Sequence, residues 1–221
     1  LAKKMRINFE RDVQPIALLA DAPVFFMATT VNFPPKTFAE FVDYAKAHPG
    51  DVRYASAGVG AYQHINTEIL AKRAELKLLH IPFKGGTAPL IELMAGRVDM
   101  VCETMTAALP HIQGGKLRAL GVATPQRVPG IDLPTVIEAG LPGFEVTAWY
   151  AIYAPANTPA EIVGALQGAL ARGMRGSEAR EKMASLSATA VASTPEVLTA
   201  HMKAEMERWG KVIRAANVKP E

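Results

Sequence analysis

Three short segments of this sequence are rich in small and polar residues, with glycine in two of them, in a way that suits the binding of an anion. They are residues 56–62, 84–88 and 103–106. Each lies between an apolar run that predicts a strand and a segment that predicts a helix. The free N–H groups and the dipole at a helix N-terminus favour negative charge, and glycine lets a ligand approach the backbone closely. The predicted chemistry is the capture of a small anion such as a carboxylate, without a catalytic group.

Each segment also has an alternative interpretation, in which its glycine and threonine residues serve only turns and helix caps. Lys84 beside the glycine pair could contact an anion or could be an exposed turn lysine. His64, in the first turn of its helix, is typical of a packed or capping histidine as well as of a ligand contact. Trp149 and Tyr150 could line a cleft, although their pattern slightly favours core burial.

The patterns of catalytic and metal sites are not found in this sequence. The five histidines show no metal-ligand spacing, and there is no G-x-S-x-G nucleophile motif. The single cysteine, Cys102, excludes a disulfide framework and a cysteine-based zinc cluster, and its place at the end of an apolar strand predicts a buried thiol. We therefore predict no metal, no cofactor and no enzymatic activity.

Composition excludes several other classes of protein. The chain has 221 residues, of which 49% are hydrophobic and 20% charged, so it is not a disordered chain. Its longest apolar runs are far shorter than the ~18 residues of a membrane span. The net charge of +3 comes without a basic stripe interleaved with aromatic residues, which argues against nucleic acid as a partner.

Strand and helix patterns alternate along most of the chain. Strands are predicted at 13–20, 24–30, 52–56, 78–83, 98–102, 116–124 and 145–154, with helices at 37–48, 62–74, 87–95, 107–113, 135–139, 158–172 and from 194 onward. Thr37, Thr87 and Thr158 are predicted to cap their helices, the first and last of them in capping boxes. The last helix is predicted to pack through an apolar stripe of Leu198, Met202, Met206, Trp209 and Ile213. Alternation of this kind predicts an α/β fold with a mostly parallel sheet, in which the three anion-suited segments share one edge. The helix-rich end of the chain must pack on something else.

Seven motifs follow one another along the chain: IPFKGGTAPL at 81–90, VDM at 98–100, ALPHI at 108–112, GKLRAL at 115–120, LPTVIEAG at 133–140, WY at 149–150 and APANTP at 154–159. Taken in this order, they resemble the Bug (Bordetella uptake gene) family, the extracytoplasmic receptors of tripartite tricarboxylate transporters. The resemblance implies a periplasmic binding protein of type II-like fold, with two α/β lobes around a ligand cleft. On this mapping, residues 23–145 form the second, inserted lobe, and residues 1–22 and 146–221 form part of the first.

The resemblance also implies which residues bind the ligand. Those predicted to line the cleft are Ser56, Ala57, Gly58, Tyr62, His64, Gly85, Gly86, Thr87 and Thr104. Tyr62 stands where a small hydroxyl residue is more usual in the family, and Glu103 stands where Asp or Asn is expected. The family's opening strand and its ligand-clamping loop have no counterpart here, so the chain is expected to begin after them.

The resulting hypothesis is a periplasmic solute receptor, a monomer by default, that captures a small carboxylate and delivers it to a membrane permease. Dicarboxylates, tricarboxylates, acidic amino acids and aromatic acids all remain possible ligands. The rival hypothesis is an α/β enzyme or a cytoplasmic effector-sensing domain that acts on a small anion, because a fold alone does not fix a function.

Overall fold

The structure is a computed structural model that describes residues 7–216, without the side chains of residues 24–27, 215 and 216. The described chain forms two compact units. The first unit is Pro23–Thr147, and the second combines the residues up to Ala22 with Ala148–Ala215. Among the described residues, no helix has the length and apolar character needed to cross a membrane.

Helices and strands alternate through most of the chain. In order they are α1 (Phe9–Asp12), β1 (Val13–Thr30), α2 (Phe38–Ala47), β2 (Arg53–Ser56), α3 (Tyr62–Arg73), β3 (Leu79–Pro82), α4 (Ala88–Met94), β4 (Met100–Thr104), α5 (Met105–Gln113), β5 (Leu117–Val122), β6 (Thr147–Pro155), α6 (Ala160–Arg175), α7 (Ser177–Ser185), β7 (Thr189–Ala190) and α8 (Pro195–Ala216). The α/β class is therefore confirmed.

The sheet of the first unit is mixed, whereas the sequence predicted a mostly parallel one. Its strand order is β3-β2-β4-β1-β5. β2 runs parallel to both β3 and β4, but β1 runs antiparallel to β4 and to β5. A strand that is buried on both faces has the same apolar composition whichever way its neighbours run, so the sequence pattern does not reveal strand direction.

β1 is one continuous strand, although the sequence predicted two. Asp21 and Pro23 interrupt its apolar pattern without ending it. Its pairing register with β4 shifts between Phe25 and Ala28, which marks a bulge or irregularity in the strand. Residues up to Ala22 belong to the second unit and those from Pro23 to the first.

Two clusters of buried side chains hold the first unit together. The larger one packs α4 against β2 and β4, with Leu93, Ala55 and Val101 fully buried. The smaller one packs α5 against β5, through residues such as Met105 and Val122. Both clusters lie under the helices that follow the anion-suited segments, so they fix where those helices begin.

Helix capping follows the sequence in α2 but not everywhere. Thr37 caps α2, since its hydroxyl accepts a hydrogen bond from the backbone N–H of Glu40 at 3.2 Å. The capping box predicted at Thr158 does not form: Pro159 is the N-cap of α6, and the Thr158 hydroxyl donates to the carbonyl of Pro155 instead. Pro159 has ψ +140, which is not a helical value, so the helix starts one residue later than predicted. The helix predicted at 135–139 is a turn.

In the second unit, β1 pairs with β6 and β7. Ile16 and Ala17 of β1 pack with Val163 of α6 in its core. Tyr150 is 46% exposed, so the core burial that the sequence favoured for it is wrong. The predicted apolar stripe of α8 is buried at Leu198 and Met202 but exposed at Met206, and it therefore packs along only part of its length.

Candidate functional site

The three anion-suited segments follow three neighbouring strands of the first unit. β2 is parallel to β3 on one side and to β4 on the other, so all three strands end at one edge of the sheet. Ser56 pairs in register with Pro82, and the Phe83 N–H donates to the Ser56 carbonyl at 2.9 Å. The convergence that the sequence predicted is therefore observed.

The turn after β2 is held by the side chain of Ser56, which is fully buried. The Ser56 hydroxyl oxygen accepts the Gly58 N–H at 3.1 Å and lies 3.0 Å from the Gly58 carbonyl. It also lies 2.6 Å from Nε2 of His80 on β3. Gly58 has φ +131 and Gly60 has φ +78, backbone conformations that side chains with a Cβ rarely adopt. Ser56 therefore organises the turn, and Ala57 lies within it, half-buried.

His64 fastens the other end of this turn. The imidazole is buried, and its Nδ1 accepts the Gly60 N–H at 2.9 Å. Its ring stacks on His80 with ring centroids 4.1 Å apart and planes inclined by 5°. Tyr54 of β2 stacks on the other imidazole, with centroids 4.7 Å apart, and donates its hydroxyl to Glu68. Burial lowers the pKa of His80 to about 4, and the neighbouring His64 adds to the shift.

The segment after β3 is exposed, in contrast to the turn after β2. Lys84, Gly85, Gly86 and Thr87 are all solvent-accessible, and Gly85 has φ +103. Thr87 was expected to cap the next helix, but it makes no side-chain cap hydrogen bond because its own backbone is already helical. A Cβ added at Gly86 would meet nothing within 4 Å, so this residue faces open space.

A buried carboxyl group stands at the end of β4. Glu103 Oε1 accepts the Thr104 N–H at 2.8 Å and the Thr104 hydroxyl at 3.3 Å, and Oε2 accepts from the Gln63 amide at 3.3 Å. The Thr106 hydroxyl donates to that of Thr104 at 3.0 Å. Burial raises the pKa of Glu103, and these hydrogen bonds oppose the rise. Glu103 and Thr104 belong to the strand itself, not to the separate turn that the sequence predicted.

Behind this edge lies the thiol of Cys102, which is fully buried as predicted. Burial raises its pKa, and the negative charge of Glu103 raises it further, while a hydrogen bond with Tyr62 acts in the opposite direction. A neutral buried thiol is a poor nucleophile. The Tyr62 side chain is half-buried and connects the first turn of α3 to β4 in this way.

The helices that begin at this edge have no side-chain caps. The N-cap residues of α3, α4 and α5 are Ala61, Thr87 and Thr104, and none of them makes a side-chain cap hydrogen bond. α2, which begins away from this edge, is capped by Thr37. The first amide groups of a helix have no partner inside the helix. Uncapped helix starts beside glycine turns can therefore offer backbone donors to an anion.

Sequence reasoning did not identify two contributors to this edge, His80 and Gln63. His80 lies on β3 and reaches Ser56, and Gln63 lies in the first turn of α3 and reaches Glu103. The only local signals for these two residues were the polar side chain of His80 in a short strand and the position of Gln63 at a helix start. Both contacts join residues that are far apart in the sequence, so local spacing could not pair them.

Two cavities occur elsewhere in the first unit. One, of about 330 Å³, lies between α2 and residues 139–141, and the other, of about 440 Å³, lies beside α5 and residues 130–133. Neither is lined by the glycine segments. Across residues 7–216, no group of three or more His, Cys, Asp or Glu side chains is placed to hold a metal ion.

Comparison with known proteins relates this chain to one family of receptors. Residues 2–218 match the tripartite tricarboxylate transporter family receptor. The chain is 35% identical over 207 residues to the UPF0065 protein in the tcbD-tcbE intergenic region of Pseudomonas sp. (strain P51), covering 92% of this chain and 61% of that protein. It thus spans less than two thirds of the length of this relative.

Solved structures of related proteins have the same fold. R. palustris Rpa4515 with adipate matches all of this chain and 74% of its own, at TM-score 0.96 and 29% identity. The periplasmic binding protein BugD matches 95% of this chain and 71% of its own, at TM-score 0.89 and 33% identity. MatC from Rhodopseudomonas palustris with bound malate also matches 95%, and 72% of its own chain, at TM-score 0.88 and 34% identity.

These matches confirm the resemblance to the Bug proteins and the periplasmic-binding-protein fold that it implied. Members of this group are solute-binding receptors, and two of the matched structures hold a dicarboxylate. Since the family match covers residues 2–218, this chain belongs to the tripartite tricarboxylate transporter receptor family.

Proposed function

We propose that this chain is the ligand-binding part of a periplasmic receptor that captures a small dicarboxylate and delivers it to a membrane permease, without turning it over. The observation that carries the proposal is the edge where β2, β3 and β4 end, because three helices without side-chain caps begin there, two of them beside glycine turns. Such an edge offers backbone N–H groups to a carboxylate and requires no catalytic side chain.

The predicted ligand-binding residues contribute to this edge in two ways. Gly85, Gly86 and Thr87 are exposed and are proposed to contact the ligand directly. Ser56, Gly58 and His64 are proposed to shape the turn through their own hydrogen bonds. Ala57, Tyr62 and Thr104 complete the proposed lining.

Glu103 bears on which ligands the edge accepts. An ionised carboxylate on the protein would repel one carboxylate of a ligand, and burial already disfavours that ionised form. The edge therefore offers a ligand both backbone N–H donors and the carboxyl group of Glu103. This combination favours a ligand that carries a hydroxyl group beside a carboxylate, as malate does. Adipate and malate, each bound by a structural relative, are the first ligands to test.

We further propose that residues 23–145 form one lobe of the receptor and that residues 1–22 and 146–221 belong to the other. The two compact units of the structure support this division. The receptor is proposed to act as a monomer in the periplasm, and its permease partner is proposed from membership of the transporter family alone.

The proposal is tested by binding measurements on two glycine variants. Gly86→Val places a branched side chain over the proposed donors, and Gly164→Val, on an exposed face of α6, is the matched control because a Cβ at either glycine meets nothing within 4 Å. Calorimetric titration with malate, adipate, citrate and acetate is expected to show binding of at least one dicarboxylate, weakened more than about tenfold, or ~1.4 kcal/mol, in Gly86→Val alone. A folded Gly86→Val protein with unchanged affinity would refute the site.

A further inference from the structure

The turn that follows β2 is fastened at both ends by imidazole rings from other elements. At its start, the Ser56 hydroxyl is 2.6 Å from Nε2 of His80 on β3. At its end, the Gly60 N–H donates to Nδ1 of His64 on α3. The two rings are themselves in contact, with centroids 4.1 Å apart and nearly parallel planes. One stacked pair therefore spans the whole turn.

The hydrogen bonds require at least one of these rings to be neutral. Nδ1 of His64 can accept the Gly60 N–H only through a lone pair, so the ring proton must be on Nε2. Protonation of Nδ1 would place an N–H donor against the Gly60 N–H donor. The Ser56 hydroxyl donates its proton to the Gly58 carbonyl at 3.0 Å, so Nε2 of His80 is the donor to the Ser56 oxygen, which also accepts the Gly58 N–H.

The surroundings of the pair disfavour a positive charge on His80. A proton on one ring would lie against the face of the other at 4.1 Å. Tyr54, from β2, stacks on His80, and its hydroxyl donates to Glu68 of α3 at 2.5 Å. The Glu68 carboxylate is thus in contact with the Tyr54 hydroxyl.

We propose that His80 and His64 are positioning residues of the receptor, whose neutral, stacked rings hold the turn of residues 56–60 in its ligand-binding conformation and release it when the pair takes up a proton. The role in ligand binding rests on the proposed function. The role in holding the turn rests only on the contacts of the free protein.

The direction of the pH dependence follows from the lowered pKa of His80, about 4 against an ordinary value of 6.5. The folded protein binds the proton less well than the unfolded chain does between these two values. The stacked pair is therefore intact at neutral pH and progressively opposed as the pH falls from 6.5 towards 4. At pH 7 the turn is held, and its release is expected to set in as the pH falls towards 4.

The first experiment follows the Gly58 and Gly60 amide signals by NMR in the free protein, from pH 7.5 to pH 4. In the wild-type protein, both signals are expected to move together with the imidazole ring signals. In His80→Phe, which keeps an aromatic ring on the stack but lacks Nε2, the Gly58 signal is expected to be shifted already at pH 7.5. His48→Phe is the matched control, because His48 is an exposed histidine stacked on Tyr44 outside this turn.

Two further variants distinguish the loss of a hydrogen bond from a simple packing defect. His80→Gln supplies a neutral amide to Ser56 and is expected to restore the wild-type Gly58 signal at neutral pH. His64→Phe removes the acceptor and is expected to shift Gly60. Wild-type amide signals that stay fixed from pH 7.5 to pH 4, or a His80→Phe spectrum equal to the wild-type one, would overturn the proposal.

The second experiment measures adipate and malate affinity in the same variants. At pH 7, His80→Phe is expected to bind at least about fivefold more weakly than wild type, or ~1 kcal/mol, and this ratio should fall as the pH is lowered towards 4. Because both affinities are measured at the same pH, the ratio of the wild-type affinity to the His80→Phe affinity does not depend on the protonation of the ligand. If the wild-type protein binds neither acid, the proposed ligand class fails while the NMR result still judges the histidines. A shifted turn with an unchanged affinity ratio would refute the positioning role.

Discussion

The turn after β2 and the segment after β3 lie side by side at one sheet edge, yet they are built in different ways. The first is closed by the buried Ser56 hydroxyl and the His64 ring. The second, residues 84–87, is exposed, and its Thr87 does not cap the helix that follows. Similar glycine-rich composition thus produces one pre-organised turn and one open segment. The difference lies in what the neighbouring strands and helices supply.

This contrast indicates that the two segments would contribute differently to ligand binding. A turn whose donors are already ordered spends little conformational entropy when it binds a ligand. An exposed segment leaves its backbone accessible, and the ligand itself can complete its hydrogen bonds. Glu103, at the end of β4, resembles the first case, since its carboxyl group is buried and accepts hydrogen bonds from Thr104 and from Gln63 of α3.

The largest effect on stability is expected from a side chain added to the closed turn. Gly58 has φ +131, and a Cβ there would lie 3.5 Å from the Phe83 carbonyl oxygen. Gly58→Val is expected to cost on the order of 1–3 kcal/mol in the free energy of unfolding, because a branched residue is strained in this conformation. Urea unfolding measures the loss. Gly86→Ala in the open segment, with no such φ and no close neighbour, should unfold as wild type does.

A smaller loss is expected when the hydroxyl that closes the turn is removed. Ser56→Ala leaves the Gly58 N–H without its acceptor, at an expected cost of about 1–2 kcal/mol. Thr87→Val is the control in the open segment, and a change within about 0.5 kcal/mol is expected there, as for exposed sites in general. Equal losses in the two variants would remove the distinction between the two segments.

The smallest effect is expected at Glu103, at the end of β4, and it appears as a pH dependence of the free energy of unfolding. Burial raises the pKa of Glu103 above its ordinary value of 4.5, so the folded protein holds this proton better than the unfolded chain does. Stability from this group is therefore present at acid pH and is lost as the pH rises through the raised pKa. Glu103→Gln should lack that loss, so its stability relative to wild type should increase between pH 4.5 and pH 7.5.

Urea unfolding of both proteins at a series of pH values checks this difference. The histidine pair titrates in both proteins and cancels in the comparison. A constant difference between the two proteins across the series would show that Glu103 does not titrate in this range.

Much of the fold and of the candidate site could be predicted from local patterns. The α/β class, the three anion-suited segments, the burial of Cys102 and the Thr37 cap all follow from residues that are close in the sequence. Their physical causes are the strand and helix periods of apolar residues and the special backbone freedom of glycine. The family resemblance, carried by seven short motifs, adds to these the type of fold.

Only the tertiary structure decided which distant residues meet. The sequence places His80 and Ser56 on different strands, and parallel pairing of β2 with β3 brings their side chains within 2.6 Å. Likewise Gln63 reaches Glu103 because α3 packs beside β4. The antiparallel direction of β1, which makes the sheet mixed, could not be predicted from local patterns either. A local pattern reports whether a residue is buried, whereas strand order and direction, which are set by packing of the whole unit, determine what it is buried against.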